Sequence, residues 1–237
     1  MVAAGASVAE SVYGFYMRAR THCFHWIFSV IFRPENPIEL ERLGTKYGGW
    51  WIPPSLIDSS SICYLAGVGT DISFDKALVE RFGCSAWGID PTPRAILWMS
   101  EQVLPISYTF VPLGLAGETG ELRFYSPRNS EHVSHSTKNL QRTKGFFTAE
   151  VTTVNELMQR LGHAHLDLLK LDIEGAEHDT IRTMLSNGVY PQVLCVEFDQ
   201  PEPLKWARQT TSALRKKGYD LVKVDGFNLT FVRDGKR

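Results

Sequence analysis

From Ser61 to Val232 short apolar runs alternate with stretches of helical spacing, and few architectures accept that order. Residues 61–66, 86–89, 108–113, 166–172 and 193–198 read as strands buried on both faces. Residues 71–82 carry Phe74, Ala77, Leu78 and Phe82 at helical spacing. Pro91 opens a helix to about Val103, since proline suits a first helical turn. Residues 153–161, with Asn155 as cap, residues 175–187, and residues 203–217, stopped by Gly218, complete the helices. A strand over 121–125 follows the turn at 117–120, and residues 219–224 and 229–232 form a closing hairpin around Asp225-Gly226. The expected fold is α/β: a doubly wound, mostly parallel seven-stranded sheet with a terminal antiparallel hairpin.

Two segments stand outside this rhythm. Residues 23–32 form an apolar, aromatic run with Phe24, Trp26, Phe28 and Phe32, followed by Pro34 and Pro37. Ten residues are too few for a membrane span, which needs about 20, and no small-residue cleavage site follows. The run reads as a helix that covers the core, with a weak membrane or partner contact as the other reading. The domain boundaries follow: a helical extension over 1–39 and one catalytic-size domain over 40–237. Residues 126–147 form a long polar stretch, expected to be a loop that folds over a ligand. It holds His132 and His135, whose spacing is a weak metal pattern, and Lys138, Arg142 and Lys144.

Composition narrows the partners. The net charge of −1 leaves no basic excess for nucleic acid, and Arg215-Lys216-Lys217 reads as a solvated helix end. Cys23, Cys63, Cys84 and Cys195 form no CxxC pair, so no metal site is expected. The cysteine usage suits a reducing, cytoplasmic setting. Nothing in the sequence sets an oligomeric state.

Ligands of such sheets sit outside the carboxyl ends of the strands. There the first strand runs into Gly67-Val68-Gly69-Thr70-Asp71, a turn that lets backbone approach a ligand closely. A dinucleotide fingerprint would need a third glycine at position 72, where Ile72 stands. Asp90, ending the second strand, suits the ribose hydroxyls of an adenosine group. The fourth apolar strand closes on Asp172-Ile173-Glu174-Gly175-Ala176-Glu177-His178, and residues 174, 177 and 178 would share one helical face.

That last segment resembles the hallmark of FkbM-type methyltransferases, which depend on S-adenosylmethionine (SAM). Residues 149–157 and 113–125 are similar to the family's neighbouring segments, and Arg42 to Trp50 resembles an entry motif of a subset. The resemblance covers roughly residues 40–235. It implies the class I SAM-methyltransferase fold, SAM as cofactor and methyl transfer to an acceptor, a hydroxyl oxygen of a small molecule or glycan. The candidate cofactor contacts are Gly67, Val68, Gly69, Thr70, Asp71, Asp90, Pro91, Gly114, Leu115 and Asp172. The candidate catalytic residues are Asp172, Glu174 and His178, a histidine being suited to move protons near neutral pH. Leu65 and Asp71 depart from the family pattern, which commonly has an acid and a glycine there. A non-catalytic SAM- or nucleotide-binding module and an NAD-type oxidoreductase are the competing readings.

Overall fold

A computed structural model describes residues 23–125, 143, 145–199 and 202–233. Residues 23–31 form helix α1. An antiparallel hairpin follows, β1 (Glu41–Leu43) and β2 (Trp50–Ile52), with Leu43 opposite Trp50. Then come β3 (Ile62–Ala66), α2 (Ser73–Phe82), β4 (Ser85–Ile89), α3 (Pro93–Met99) and β5 (Tyr108–Val111). A small excursion contains β6 (Gly114–Leu115), β7 (Gly120–Tyr125) and β8 (Phe146–Thr152). The chain closes with α4 (Val154–Leu161), β9 (Leu168–Leu171), α5 (Glu177–Ser186), β10 (Val193–Glu197), α6 (Pro203–Arg215), β11 (Tyr219–Asp225) and β12 (Asn228–Arg233).

The main sheet has seven strands in the order β11-β12-β10-β9-β3-β4-β5. All neighbours from β10 to β5 are parallel, and β12 runs antiparallel to both β10 and β11. This is the expected doubly wound sheet with its antiparallel terminal hairpin. The order reverses at β3, so the crevice between the ends of β3 and β9 is the switch point where such folds bind ligands.

Both faces of the sheet are covered, which explains the unbroken apolar strands. Tyr64 and Ala66 of β3 join Leu169, Leu171, Leu194 and Val196 in one core cluster. Cys63 and Leu65 face the other way, with Leu78, Leu168, Val193 and Cys195. Burying a leucine-sized side chain stabilises by roughly 1.5–3 kcal/mol, so the two layers dominate the fold's favourable terms. Leu65 is part of this core. The aromatic N-terminal run covers core as well: Phe28 and Phe32 are buried in the first cluster, and the Phe28 ring meets Phe227 edge-on at 5.1 Å. Trp26 and Val30 face outward. Among the described residues no helix is long and apolar enough to cross a membrane.

Several boundaries differ from expectation, each for a local reason. α3 starts at Pro93, not Pro91, because the Thr92 hydroxyl accepts from Ala95 N–H and caps it. α4 is capped by Thr153, whose side chain accepts from Glu156 N–H, and Asn155 lies inside the helix. β5 ends at Val111, and Gly114-Leu115 leaves the main sheet to pair with β8. Phe146 and Phe147, read as loop, begin β8, which pairs with β7. β1 and β2 carry no sequence signal, being three residues each. His163, beside the entry to β9, bonds the Tyr64 hydroxyl through Nδ1 at 2.7 Å and packs on Trp87. His132, His135, Lys138, Arg142 and Lys144 lie outside the described residues.

Candidate functional site

A cleft of about 250 Å³ opens at the carboxyl ends of β3, β4, β9 and β10. All ten expected cofactor contacts line it: Gly67, Val68, Gly69, Thr70, Asp71, Asp90, Pro91, Gly114, Leu115 and Asp172. Glu174 lines it too. His178 does not: its Nδ1 meets Thr210 Oγ1 at 2.8 Å and its ring packs on Trp206, between α5 and α6.

The glycine turn is held from two sides. Asp90 Oδ2 accepts from Gly69 N–H at 2.9 Å. Its Oδ1 accepts from Thr92 N–H at 2.8 Å and from the Thr92 hydroxyl at 2.6 Å. A carboxylate offers about four lone-pair directions, so roughly one is left on Oδ2 for a ligand hydroxyl. Asp71 Oδ1 accepts from Ser73 N–H at 2.8 Å, covering the start of α2, and Oδ2 accepts from the Thr45 hydroxyl at 2.8 Å. Burial pushes Asp71 up, but the bonds from Ser73 and Thr45 outweigh it and hold the carboxyl below its ordinary value. Gly67 has φ +87°, and a Cβ there would lie 1.8 Å from the Asp172 carbonyl oxygen. Around Gly69, by contrast, a Cβ would meet nothing within 4 Å.

Beneath the turn sits a buried charge cluster. Lys170, in the middle of the apolar β9, donates to the Gly67 carbonyl at 2.8 Å and pairs with Asp172 Oδ2 at 3.4 Å. Burial alone would lower its pKa; Asp172 and Asp75, and then Glu197, outweigh burial and raise it. Asp75 is buried in the first turn of α2, where the Tyr108 hydroxyl donates to Oδ2 at 2.7 Å. Desolvation pushes it up to about 6, against the pull of Lys170 and Tyr108. Glu197, ending β10, is raised well above the usual carboxyl range by burial first and then by the charge of Asp172 beside it. The cleft wall therefore holds seven carboxyl groups (Asp71, Asp75, Asp90, Asp172, Glu174, Glu197, Asp199) and one ammonium, Lys170. Such a wall favours a cationic or neutral ligand and repels a pyrophosphate.

The loop after β9 carries the site's backbone strain. Glu174 has φ +56°, uncommon for a residue with a side chain, and Gly175 follows at φ +104°. α5 therefore starts at Glu177, and Glu174 does not share a helical face with residues 177 and 178 as the sequence suggested. The buried Glu177 carboxyl folds back to accept from Ile173 N–H at 2.8 Å and Gly175 N–H at 3.0 Å. Desolvation outweighs these bonds and pushes it up to about 8.

A pH dependence follows. The folded chain keeps protons on Asp75 and Glu177 that unfolded carboxyls release near pH 4. The stability these groups contribute is full below that range. It is lost as pH rises through about 6 for Asp75 and about 8 for Glu177. Glu177→Gln should lower stability by about 1 kcal/mol at pH 5.5. It should also flatten the decline between pH 5.5 and 8.5, which reaches about 1.4 kcal/mol per pH unit for one group. Urea denaturation at the two pH values checks this; an unchanged slope would show that Glu177 titrates as an ordinary carboxyl.

Sequence reasoning missed Lys170, Glu197, Asp75 and Tyr47 as parts of the cleft. For Lys170 and Glu197 the available signal was a charge inside or ending a strand otherwise apolar, Leu168-Leu169-Lys170-Leu171 and Val193 to Glu197, since a buried charge needs a partner. Among the described residues no three His, Cys, Asp or Glu side chains converge as metal ligands.

Comparison with known proteins adds a family. A family model for the methyltransferase FkbM domain matches residues 57–221, more than half of the chain. No curated protein matches. Among solved structures, the Methanococcus jannaschii fibrillarin pre-rRNA processing protein is similar at 11% identity and a TM-score of 0.43, over 84% of this chain and 72% of that one.

Proposed function

The chain belongs to the FkbM methyltransferase domain family, a group of SAM-dependent methyltransferases, and on that premise we propose that its cleft binds SAM for methyl transfer to a hydroxyl oxygen of a small molecule or glycan. The acidic wall is the observation that carries the cofactor assignment. SAM is cationic overall, its sulfonium and ammonium outweighing its one carboxylate, and its ribose diol can donate to carboxylates, whereas NAD brings a pyrophosphate that this wall opposes. The open space beside Gly69 is room for a ligand against the backbone.

When bound, SAM supplies the activated methyl group, and the protein's task is alignment, exclusion of water and removal of a proton. Asp90 holds the glycine turn and offers its remaining acceptor direction to a ribose hydroxyl. Asp172, about one-third exposed and paired to Lys170, takes the proton of the acceptor hydroxyl. Glu174 orients the acceptor from the strained turn beside it. His178, turned toward Thr210, has no part in this step.

Titration calorimetry tests the cofactor assignment. SAM and S-adenosylhomocysteine should bind and NAD should not; binding of NAD alone would overturn it. Asp90→Ala should weaken SAM roughly tenfold or more, the value of a hydrogen bond to a charged group. Asp172→Asn should keep SAM affinity within a few-fold and slow methylation about a hundredfold. The assay is labelled-methyl incorporation across a panel of hydroxylated small molecules and glycans. Equal rates would remove Asp172 from the proton step.

A further inference from the structure

The β1–β2 hairpin lies outside residues 57–221, yet its turn is keyed into the cleft. The Arg42 guanidinium staples the turn from within, donating to the carbonyls of Thr45 at 2.8 Å, Lys46 at 3.0 Å and Gly49 at 3.4 Å. Thr45 ties the turn to the glycine loop and to the start of α2: its hydroxyl donates to Asp71 Oδ2, and its N–H donates to Ser73 Oγ at 2.9 Å. Gly48 packs so closely that a Cβ would lie 2.7 Å from the Asp71 carboxylate. This fixing sets the position of Tyr47, which lines the cleft together with Gly48 and Trp50.

Tyr47 lines the cleft while 87% of its surface is open to solvent. Partial burial, and then the charges of Asp172, Glu197, Glu174 and Asp71, raise the pKa of its hydroxyl. Its neighbour Trp50 already faces a cation, with Lys170 Nζ 5.8 Å from the ring centre. Aromatic faces beside carboxylates form a cation site.

We infer that the ring of Tyr47 covers the sulfonium end of the cofactor, so that the cleft holds SAM more tightly than the neutral-sulfur product S-adenosylhomocysteine. This rests on the assignment of the cleft to SAM. Arg42 is a positioning residue in this arrangement, since it acts only through the turn.

Calorimetry on the full chain with both ligands tests the inference. Tyr47→Ala should cut the preference for SAM over S-adenosylhomocysteine roughly fivefold, within the range of a single cation–π contact. Tyr47→Phe, which keeps the ring, should hold the preference to within about twofold. Arg42→Ala, with Tyr47 present but its turn released, should lower the preference as Tyr47→Ala does. An unchanged preference in Tyr47→Ala, or equal losses for both ligands, would overturn the inference and leave the cofactor assignment intact. A wild-type chain that binds neither ligand would overturn both.

Discussion

Lys170→Met should destabilise the protein by about 3–5 kcal/mol, the cost of removing one partner from a buried ionic cluster. The lysine is 6% exposed, and Asp172, Asp75 and Glu197 all act on it. Methionine keeps the volume and the stem but leaves these carboxyls facing each other. The loss should be largest near pH 8, where more of the cluster is ionised, and smaller near pH 5, where protons replace the missing cation. Urea denaturation of both proteins at the two pH values checks it. A loss below about 1 kcal/mol at pH 8 would mean that the carboxyls take up protons in place of the missing cation. The Gly67 carbonyl would also lose its donor, so the glycine turn should loosen with the cluster.

Gly67→Ala and Gly69→Ala should separate folding from binding within a single turn. At Gly67 a methyl group would enter the Asp172 carbonyl at 1.8 Å, in a backbone conformation with φ +87°. Overpacking and backbone strain together should cost about 3–5 kcal/mol, or roughly 10 °C in melting temperature for a chain of this size. At Gly69 the methyl meets nothing within 4 Å, and φ is +54°. The fold should lose only about 1–2 kcal/mol there, while the methyl projects into the space assigned to SAM. Thermal melts and SAM calorimetry on the two variants give the comparison. Equal melting temperatures would show that the β3 and β9 loops part easily, and unchanged SAM affinity in Gly69→Ala would show that the ligand does not approach that backbone.

The contrast between these glycines shows what a sequence can and cannot carry. Gly-x-Gly after an apolar strand marks a close approach of backbone, but to what is a three-dimensional question: at Gly67 the neighbour is another strand's end, and at Gly69 it is open cleft. The central strands were legible because burial on both faces demands unbroken apolar runs, and the closing hairpin because Asp225-Gly226 interrupts two of them. β8 was not legible because adjacent Phe146 and Phe147 are both apolar, which hides in the sequence the alternation that the strand shows in the fold, with Phe146, Thr148 and Glu150 more open than their neighbours. Asp90 and Asp172 could be found because they end strands whose carboxyl ends must meet. Asp75 could not, because an acid in a helix's first turn serves the helix dipole equally well. Glu177 was read as one of a helical face, yet its carboxyl turns back onto the loop that precedes it. Such a reversal depends on the positive φ of Glu174, which no residue preference announces.

The two ends of the described chain are fastened to the same sheet edge. Phe28 packs on Phe227, Glu35 N–H donates to the Leu221 carbonyl at 2.8 Å, and Asn36 donates to Asp220 at 2.6 Å. Trp51 adds a bond from Nε1 to Asp225 at 3.0 Å, and its carbonyl accepts from the Thr230 hydroxyl. The N-terminal segment thereby blunts β11, an edge strand that would otherwise offer its backbone to other chains. On the ribosome this arrangement sets an order of events. The aromatic segment leaves the ribosome well before the closing hairpin that carries Phe227, so Phe28 and Phe32 stay uncovered while the sheet between them is made. Contacts of such sequence separation close slowly, and apolar surface exposed for that long is what chaperones bind. A ribosome-stalled chain ending before Tyr219 should therefore be held by chaperones through α1, and should be released once the β11–β12 hairpin has left the exit tunnel.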